Sequence, residues 1–180
     1  MQRLVEAADC EQDGTLFLVA AFTGLRRGEL IALTWRDVMF EQDAIRVRAS
    51  YTYGHLSTPK SGKARTVPMI PRVGQALARL SLRGEFVGED DLVFPRADGR
   101  FLDGSALTRR FKATLTRAGL RELRFHDLRH GFASVAVSHL SLLQLKEAMG
   151  HADIRTTMRY LHAKSRADEA RRLAQAFEVA

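Results

Sequence analysis

The chain has 180 residues, 46% of them hydrophobic, which is enough for one domain with a buried core. No apolar run is long enough to cross a membrane and the N-terminus lacks a signal-peptide pattern, so we expect a cytoplasmic protein without a membrane partner. The formal net charge of +7 favours nucleic acid as the partner. The single Cys10 excludes an internal disulfide, and we expect this thiol to be buried or incidental.

The N-terminal part of the chain is expected to be helical. Residues 2–9 have the spacing of a short amphipathic helix, Asp13-Gly14 predicts a break, and the apolar run 16–22 predicts a buried helix. A glycine turn and two arginines follow, and Glu29 opens another helical stretch. Because Glu29 lies between two apolar runs, burying its charge is costly unless it is paired. We therefore expect Glu29 to hold a nearby arginine in place.

A pattern with a period of two follows these helices. Residues 37–40 and 44–51 alternate around a short turn, which predicts a β-hairpin with Ile45 facing inward. A polar loop is expected at residues 53–63, and residues 64–70 predict a third strand. The sequence therefore predicts a small three-stranded antiparallel sheet.

The remainder of the chain has helical periodicity, apart from a short strand pattern at residues 92–94. The predicted helices cover residues 72–82, 104–118, 126–140, 141–149, 153–162 and 165–178. Asp103 is suited to cap the second of these helices. No internal repeat or linker interrupts the chain. The predicted fold class is α+β, mainly helical, as a single domain over residues 1–180.

The stretch 149–162 combines the end of one helix with the start of another. Gly150 is the residue type that ends a helix in a left-handed turn, and Asp153 is suited to cap the helix that follows. On one unbroken helix His151 and Tyr160 would point in opposite directions, at about 100° per residue. The break allows both side chains to face one site.

Six side chains of the kinds that bind or attack phosphate stand out in the sequence: Arg26, Lys60, His126, Arg129, His151 and Tyr160. His126 and Arg129 are three positions apart on a predicted helix, and they therefore share a face. Taken singly, each residue has an ordinary structural explanation, such as a surface charge, a loop charge or a helix cap. Together they form a set that is able to surround a phosphate group.

Four separated segments, TGLRRGE, PKSGKARTVP, HDLRH and MGHADIRTTMRYLH, carry a resemblance to a known family. From about residue 4 to 162, the chain resembles the catalytic domain of the tyrosine recombinases, or phage-type integrases. The resemblance implies these roles: Arg26 and Arg129 as phosphate-binding arginines, Glu29 as a buried acid, Lys60 as the strand-loop lysine, His126 as the histidine of the H-x-x-R box, His151 as the later histidine and Tyr160 as the nucleophile. Lys63 is the alternative to Lys60, and choosing it would leave the mechanism unchanged.

The resemblance also implies a reaction, in which Tyr160 attacks a DNA phosphodiester and forms a covalent 3′-phosphotyrosyl link. His126 would accept the tyrosine proton, His151 would hydrogen-bond a phosphate oxygen, and Lys60 would protonate the departing 5′-oxygen. Attack by a 5′-hydroxyl from another strand would then rejoin the DNA. No metal or other cofactor is expected.

The partner implied by the resemblance is double-stranded DNA, on which the chain would form a homotetramer while remaining a monomer free in solution. Members of the family normally carry a core-binding domain in front of the catalytic domain, and this chain begins at the catalytic domain. We expect residues 163–180 to form a tail helix. That helix would dock on a neighbouring protomer or on its own domain.

Other interpretations of the same residues stay open. A type IB topoisomerase would use the same tyrosine and cations to relax supercoils, and a non-catalytic DNA-binding module could keep the fold. His126 and His130 have the spacing of a zinc-protease helix, but the sequence offers no clear third ligand. A metal-dependent nuclease would need clustered carboxylates, and the adjacent acids at 89–91 are expected to be solvated in a polar loop.

Overall fold

The computed structural model describes residues 1–58 and 64–161. Lys60, Lys63 and the predicted tail helix at 163–180 lie outside the described residues, so the predictions about them stay predictions. None of the helices within the two described ranges is long and apolar enough to cross a membrane.

The helices confirm the prediction of a mainly helical chain with a small sheet. They are α1 Gln2–Glu6, α2 Glu11–Thr23, α3 Arg27–Ile31, α4 Pro71–Leu80, α5 Gly104–Arg117, α6 Phe125–Ala136, α7 Leu142–Met149 and α8 Ile154–Met158. Short 3-10 turns at Trp35–Asp37 and Phe40–Gln42 lie on either side of the first strand. Asp103 caps α5 as predicted, because its side chain accepts the backbone N–H of Ala106 at 2.6 Å.

The strands are β1 Val38–Met39, β2 Ala44–Val47, β3 Ser50–Thr52, β4 His55–Ser57 and β5 Arg65–Pro68. Strands β1, β2 and β5 form a three-stranded antiparallel sheet with β2 in the middle, as the alternating pattern predicted. Ile45 of β2 pairs with Val38 on one side and Val67 on the other, and its side chain is fully buried.

The strand predicted at 44–51 is divided between β2 and β3 in the structure, and β4 lies in a segment predicted as a loop. β3 and β4 form a second antiparallel ribbon, whose tip at Tyr53 and Gly54 has positive φ angles of 52° and 83°. The side chains of β4 are all exposed, so the segment lacks the alternation that marks a half-buried strand and was predicted as a loop. Conversely, the strand predicted at 92–94 is wrong, since Leu92 forms only an isolated bridge to Thr34.

The break predicted at Asp13-Gly14 is also wrong, because α2 passes through both residues. The buried carboxylate of Asp13 accepts the Nε–H of Arg110 at 2.7 Å. A Cβ on Gly14 would lie 3.2 Å from the carbonyl oxygen of Val5, so the glycine lets α1 approach closely. Cys10 lies directly before this helix and is exposed, which excludes the buried alternative for its thiol.

The apolar side chains form two clusters. The larger one contains Phe17, Phe111 and Phe125. The ring of Phe111 meets the other two edge to face, with centroid distances of 5.2 Å to Phe17 and 5.3 Å to Phe125. The smaller one joins α6 to α7 and includes Leu145, and Tyr160 packs against it. The segment that carries the tyrosine therefore packs against this smaller cluster.

Candidate active site

Glu29 lies at the centre of the candidate site and is almost completely buried. Its Oε1 accepts Nη1–H of Arg26 at 2.9 Å and Nη1–H of Arg65 at 2.9 Å. Its Oε2 accepts the backbone N–H of Arg26 at 2.8 Å and Nη2–H of Arg65 at 2.8 Å. Burial by itself raises the pKa of Glu29, but the hydrogen bonds and charges of the two arginines outweigh burial and lower the pKa overall.

The C-terminal end of α7 receives a guanidinium group on each of three successive carbonyl oxygens. Arg65 donates Nε–H to Ala148 at 2.9 Å, Arg129 donates Nη2–H to Met149, and Arg26 donates Nη2–H to Gly150 at 2.8 Å. The last carbonyls of a helix have no partner inside the helix and carry its negative end. Three arginines from distant parts of the chain therefore connect this helix end, and the adjoining His151, to the segments that carry those arginines.

Arg129 is buried in α6 and spans two backbone segments. In addition to Met149, it donates Nη1–H to the carbonyl oxygen of Gly24 at 2.5 Å. Burial, followed by the nearby charge of Arg26, lowers the pKa of Arg129 to about 9. The group is still predominantly protonated at neutral pH, so it brings positive charge into a poorly solvated place.

His151 follows the left-handed turn predicted at Gly150, whose φ is 60°. Asp153 caps α8 as predicted, accepting the backbone N–H of Arg155 at 2.9 Å. The Nδ1 of His151 lies 2.9 Å from the hydroxyl of Thr157, which fixes the ring. Burial first, and then the charges of nearby arginines, lower the pKa of His151 to about 4, so its ring is neutral at pH 7.

Tyr160 follows α8 in a turn and does not lie inside the helix, because α8 ends at Met158 and not near residue 162 as predicted. Its hydroxyl lies 2.7 Å from Nδ1 of His130. Burial raises the pKa of Tyr160, while the positive charges of Arg129 and Arg159 act in the opposite direction. The tyrosine is therefore held against α6 as a neutral phenol.

His126 is exposed at the start of α6, one turn before His130. The two imidazole rings meet edge to face with centroids 4.8 Å apart. Burial, followed by the charge of His130, lowers the pKa of His126. His126 therefore belongs to the site, but the side chain in hydrogen-bond contact with the tyrosine is His130.

A groove with a volume of about 700 Å³ opens beside Arg26 and His126. Its walls include three further arginines: Arg27, Arg96 and Arg124. Arginine guanidinium groups match the geometry of phosphate oxygens, so a groove of this kind suits a polyanionic backbone.

The structure thus brings together five of the six predicted site residues, and the sixth, Lys60, lies outside the described residues. Two further contributors were missed, Arg65 and His130. Each stands next to a recognised pattern, Arg65 in the K-x-R-x-V-P stretch and His130 directly after Arg129. The sequence suggests His130 only as a possible zinc ligand, by its spacing from His126. Within residues 1–58 and 64–161, no three histidine, cysteine or carboxylate side chains are grouped so as to hold a metal ion.

Residues 1–166 match the model of the phage integrase family. The chain belongs to this family. It is 33% identical over 173 residues to tyrosine recombinase XerD of Shewanella oneidensis, an alignment that covers 91% of this chain and 53% of XerD. The chain therefore spans about half the length of that relative. The family membership confirms the resemblance proposed from the four sequence segments.

Solved structures of the family have the same fold. The crystal structure of XerA recombinase is 26% identical to this chain, with a TM-score of 0.74, and the match covers 97% of this chain and 62% of that one. The Tn1549 transposon integrase, solved in complex with transposon right end DNA, has a TM-score of 0.77 at 21% identity, covering 98% of this chain and 63% of that one. The predicted integrase-like catalytic fold is thereby confirmed.

Proposed function

We propose that this chain is the catalytic domain of a site-specific DNA recombinase, which cleaves and rejoins strands through a covalent 3′-phosphotyrosyl intermediate. The observation that carries the proposal is the shared attachment of Arg26 and Arg129 to the end of α7, directly before His151. Two guanidinium groups and a histidine from three separate segments are thereby gathered beside the segment that carries Tyr160. Family membership supports the same conclusion.

Arg26 and Arg129 would bind the non-bridging oxygens of the scissile phosphate. Both are held by backbone carbonyls, so little reorganisation is needed when a phosphate arrives. As the tyrosine oxygen attacks phosphorus, negative charge builds on these oxygens in the pentacoordinate transition state. Charges that are already in place in a partly buried site stabilise that state more than they would in water.

His151 suits a hydrogen bond to a phosphate oxygen. Since Nδ1 faces Thr157 and the ring is neutral at pH 7, Nε2 remains for a ligand, and it carries the hydrogen when Nδ1 accepts from the threonine hydroxyl. We assign Lys60, or alternatively Lys63, as the acid that protonates the departing 5′-oxygen, on the strength of the family pattern alone. The family resemblance assigns His126 as the acceptor of the tyrosine proton.

The covalent link would conserve the energy of the phosphodiester bond, so a 5′-hydroxyl from another strand could attack it and rejoin the DNA. Double-stranded DNA is the proposed partner, supported by the arginine-lined groove and the net charge of +7. We further propose a homotetramer on DNA from a monomer in solution. The reaction would need no metal or cofactor and would take place in the cytoplasm, where a single cysteine fits a reducing compartment.

Covalent capture tests this proposal. The chain and its Tyr160→Phe variant are incubated in EDTA with nicked duplexes that have randomised flanks, quenched with detergent, and examined for protein–DNA adducts. We expect an adduct with the chain and none with the variant. A parallel fusion to a sequence-neutral DNA-binding module supplies affinity if the chain alone binds weakly. Absence of an adduct from both proteins, with DNA binding intact, would contradict catalysis and favour a binding module.

The reaction products distinguish recombination from the topoisomerase alternative. Sequencing the captured fragments identifies a preferred target sequence. That sequence is then inserted into a supercoiled plasmid and into a labelled linear fragment. Strand joining between the two molecules supports recombination, because relaxation alone reseals the same strand. Relaxation without any joined product would favour a type IB topoisomerase activity.

A further inference from the structure

Helix α6 presents three functional groups within five residues, His126, Arg129 and His130. Positions three and four apart on a helix are neighbours on one side. The side chain of Arg129 points into the protein and binds backbone carbonyl oxygens. The imidazole rings of His126 and His130 pack against each other. Of the two, His130 is the ring whose nitrogen meets the hydroxyl of Tyr160.

The contact between Nδ1 of His130 and the hydroxyl oxygen of Tyr160 measures 2.7 Å, which is a short and favourable hydrogen bond. A neutral imidazole with its hydrogen on Nε2 has a free lone pair on Nδ1, and a phenol hydroxyl is then the donor. His126 is exposed and packs its ring against that of His130, whereas the hydrogen bond to the tyrosine hydroxyl is made by His130.

We propose that His130, and not His126, holds the hydroxyl of Tyr160 and accepts its proton when the tyrosine attacks DNA. The inference rests on the proposed function and deepens it. In the cleavage step the bond from the tyrosine oxygen to phosphorus forms and the bond from phosphorus to the 5′-oxygen breaks. The hydroxyl proton passes to Nδ1 of His130, and the 5′-oxygen takes a proton from the proposed acid, Lys60.

The rejoining step runs in reverse with the same balance. The incoming 5′-hydroxyl gives its proton to the lysine as its oxygen bonds to phosphorus, and His130 returns its proton to the tyrosine oxygen as the phosphotyrosyl bond breaks. His130 therefore ends each cycle neutral. The edge contact with His126 would then stabilise the ring position of His130, without direct contact to the reacting atoms.

Three variants separate proton transfer from positioning. His130→Asn places an amide near the position of Nδ1, so it keeps a hydrogen bond to the tyrosine but cannot act as a base at neutral pH. His130→Ala removes both the bond and the base, and His126→Asn removes the imidazole of the competing candidate on the same helix. We expect adduct formation to fall about 10²- to 10³-fold in both His130 variants and by less than about tenfold in His126→Asn.

A modified substrate identifies which proton is affected. In a duplex with a 5′-bridging sulfur at the scissile phosphate, the leaving group needs no proton. This substrate should restore cleavage by Lys60→Ala and should leave His130→Asn and His130→Ala slow. Restoration of His130→Ala by sulfur, or unchanged cleavage of the normal duplex by that variant, would overturn the assignment.

Binding and folding controls keep the outcomes distinct. Each variant is checked for its thermal midpoint and for its affinity toward the captured duplex, and both should match the unmodified chain closely for His130→Asn. If the unmodified chain forms no adduct although it binds DNA, the proposed function fails and the inference falls with it. If the unmodified chain cleaves and both His130 variants cleave equally well, the inference alone is wrong.

Discussion

Glu29 and Arg65 form a buried, two-point ion pair, in which both carboxylate oxygens meet a guanidinium nitrogen at 2.8 Å and 2.9 Å. Their side chains are 1% and 9% exposed. The same carboxylate binds Arg26, so a single negative charge fixes one arginine of the proposed phosphate site and one that reaches the end of α7. Stability and the geometry of the site are therefore coupled through one residue.

Replacing Glu29 should destabilise the fold. Glu29→Gln leaves two guanidinium groups in a buried place without a compensating charge, and we expect the free energy of unfolding to fall by about 3–5 kcal/mol. Urea denaturation measures this change. Asp90→Asn is the matched control, because the pair of Asp90 with Arg36 is 79% and 42% exposed, and a loss below about 1 kcal/mol is expected there.

Low pH should weaken the ion pairs of Glu29 with its two arginines. The pKa of Glu29 is lower in the folded protein than its ordinary value of 4.5, so the unfolded chain takes up the proton first as the pH falls. The stabilisation is complete above about pH 4.5 and is lost as the pH falls toward the folded pKa. Urea midpoints measured from pH 7 to 3 should therefore converge for the wild type and Glu29→Gln. A constant gap between them would contradict this linkage.

His151 should stay neutral well into the acidic range. Its pKa is lowered from 6.5 to about 4, so the unfolded chain binds this proton between those values while the folded protein does not. The contribution of His151 to stability is thus complete above about pH 6.5 and declines as the pH falls to about 4. NMR titration of the imidazole resonances, with His151→Asn to assign the signal, measures this pKa. A midpoint near 6.5 would contradict the prediction.

Arg129→Lys should separate binding from catalysis. One ammonium nitrogen cannot span the carbonyls of Gly24 and Met149 as two guanidinium nitrogens do. We expect adduct formation to fall by about 10²-fold or more, while affinity for the same duplex changes only several-fold. Arg109→Lys, an exposed position on α5, serves as the control. Proportional losses of binding and cleavage would make Arg129 a docking contact.

Gly28 permits a close approach between α3 and β3. A Cβ there would lie 2.6 Å from Oγ of Ser50 and 2.8 Å from the carbonyl oxygen of Tyr51. Gly28→Ala should therefore displace the β3–β4 ribbon and lower the free energy of unfolding by about 1–3 kcal/mol. Gly131→Ala on α6 is the matched control, because a Cβ there meets nothing within 4 Å and should stabilise the helix by about 0.5–1 kcal/mol. Thermal and urea unfolding of both variants measure the difference.

Features that depend on neighbours in the chain could be predicted from the sequence. The left-handed turn at Gly150 and the caps at Asp103 and Asp153 follow from local backbone chemistry, and they are confirmed. The three-stranded sheet follows from alternation around the buried Ile45. Family membership was evident from four short segments, because their residue types and order were sufficient to identify it.

Features that depend on contacts between distant segments required the tertiary structure. The tyrosine hydroxyl meets His130 instead of His126 because α8 ends at Met158, and the turn after it sets which part of α6 the ring reaches. Arg65 reaches both Glu29 and the carbonyl of Ala148, a contact across 83 positions in sequence. The sequence determined which chemical groups were available, and packing between segments decided which of them touch, because hydrogen bonds depend on distances that local patterns do not encode.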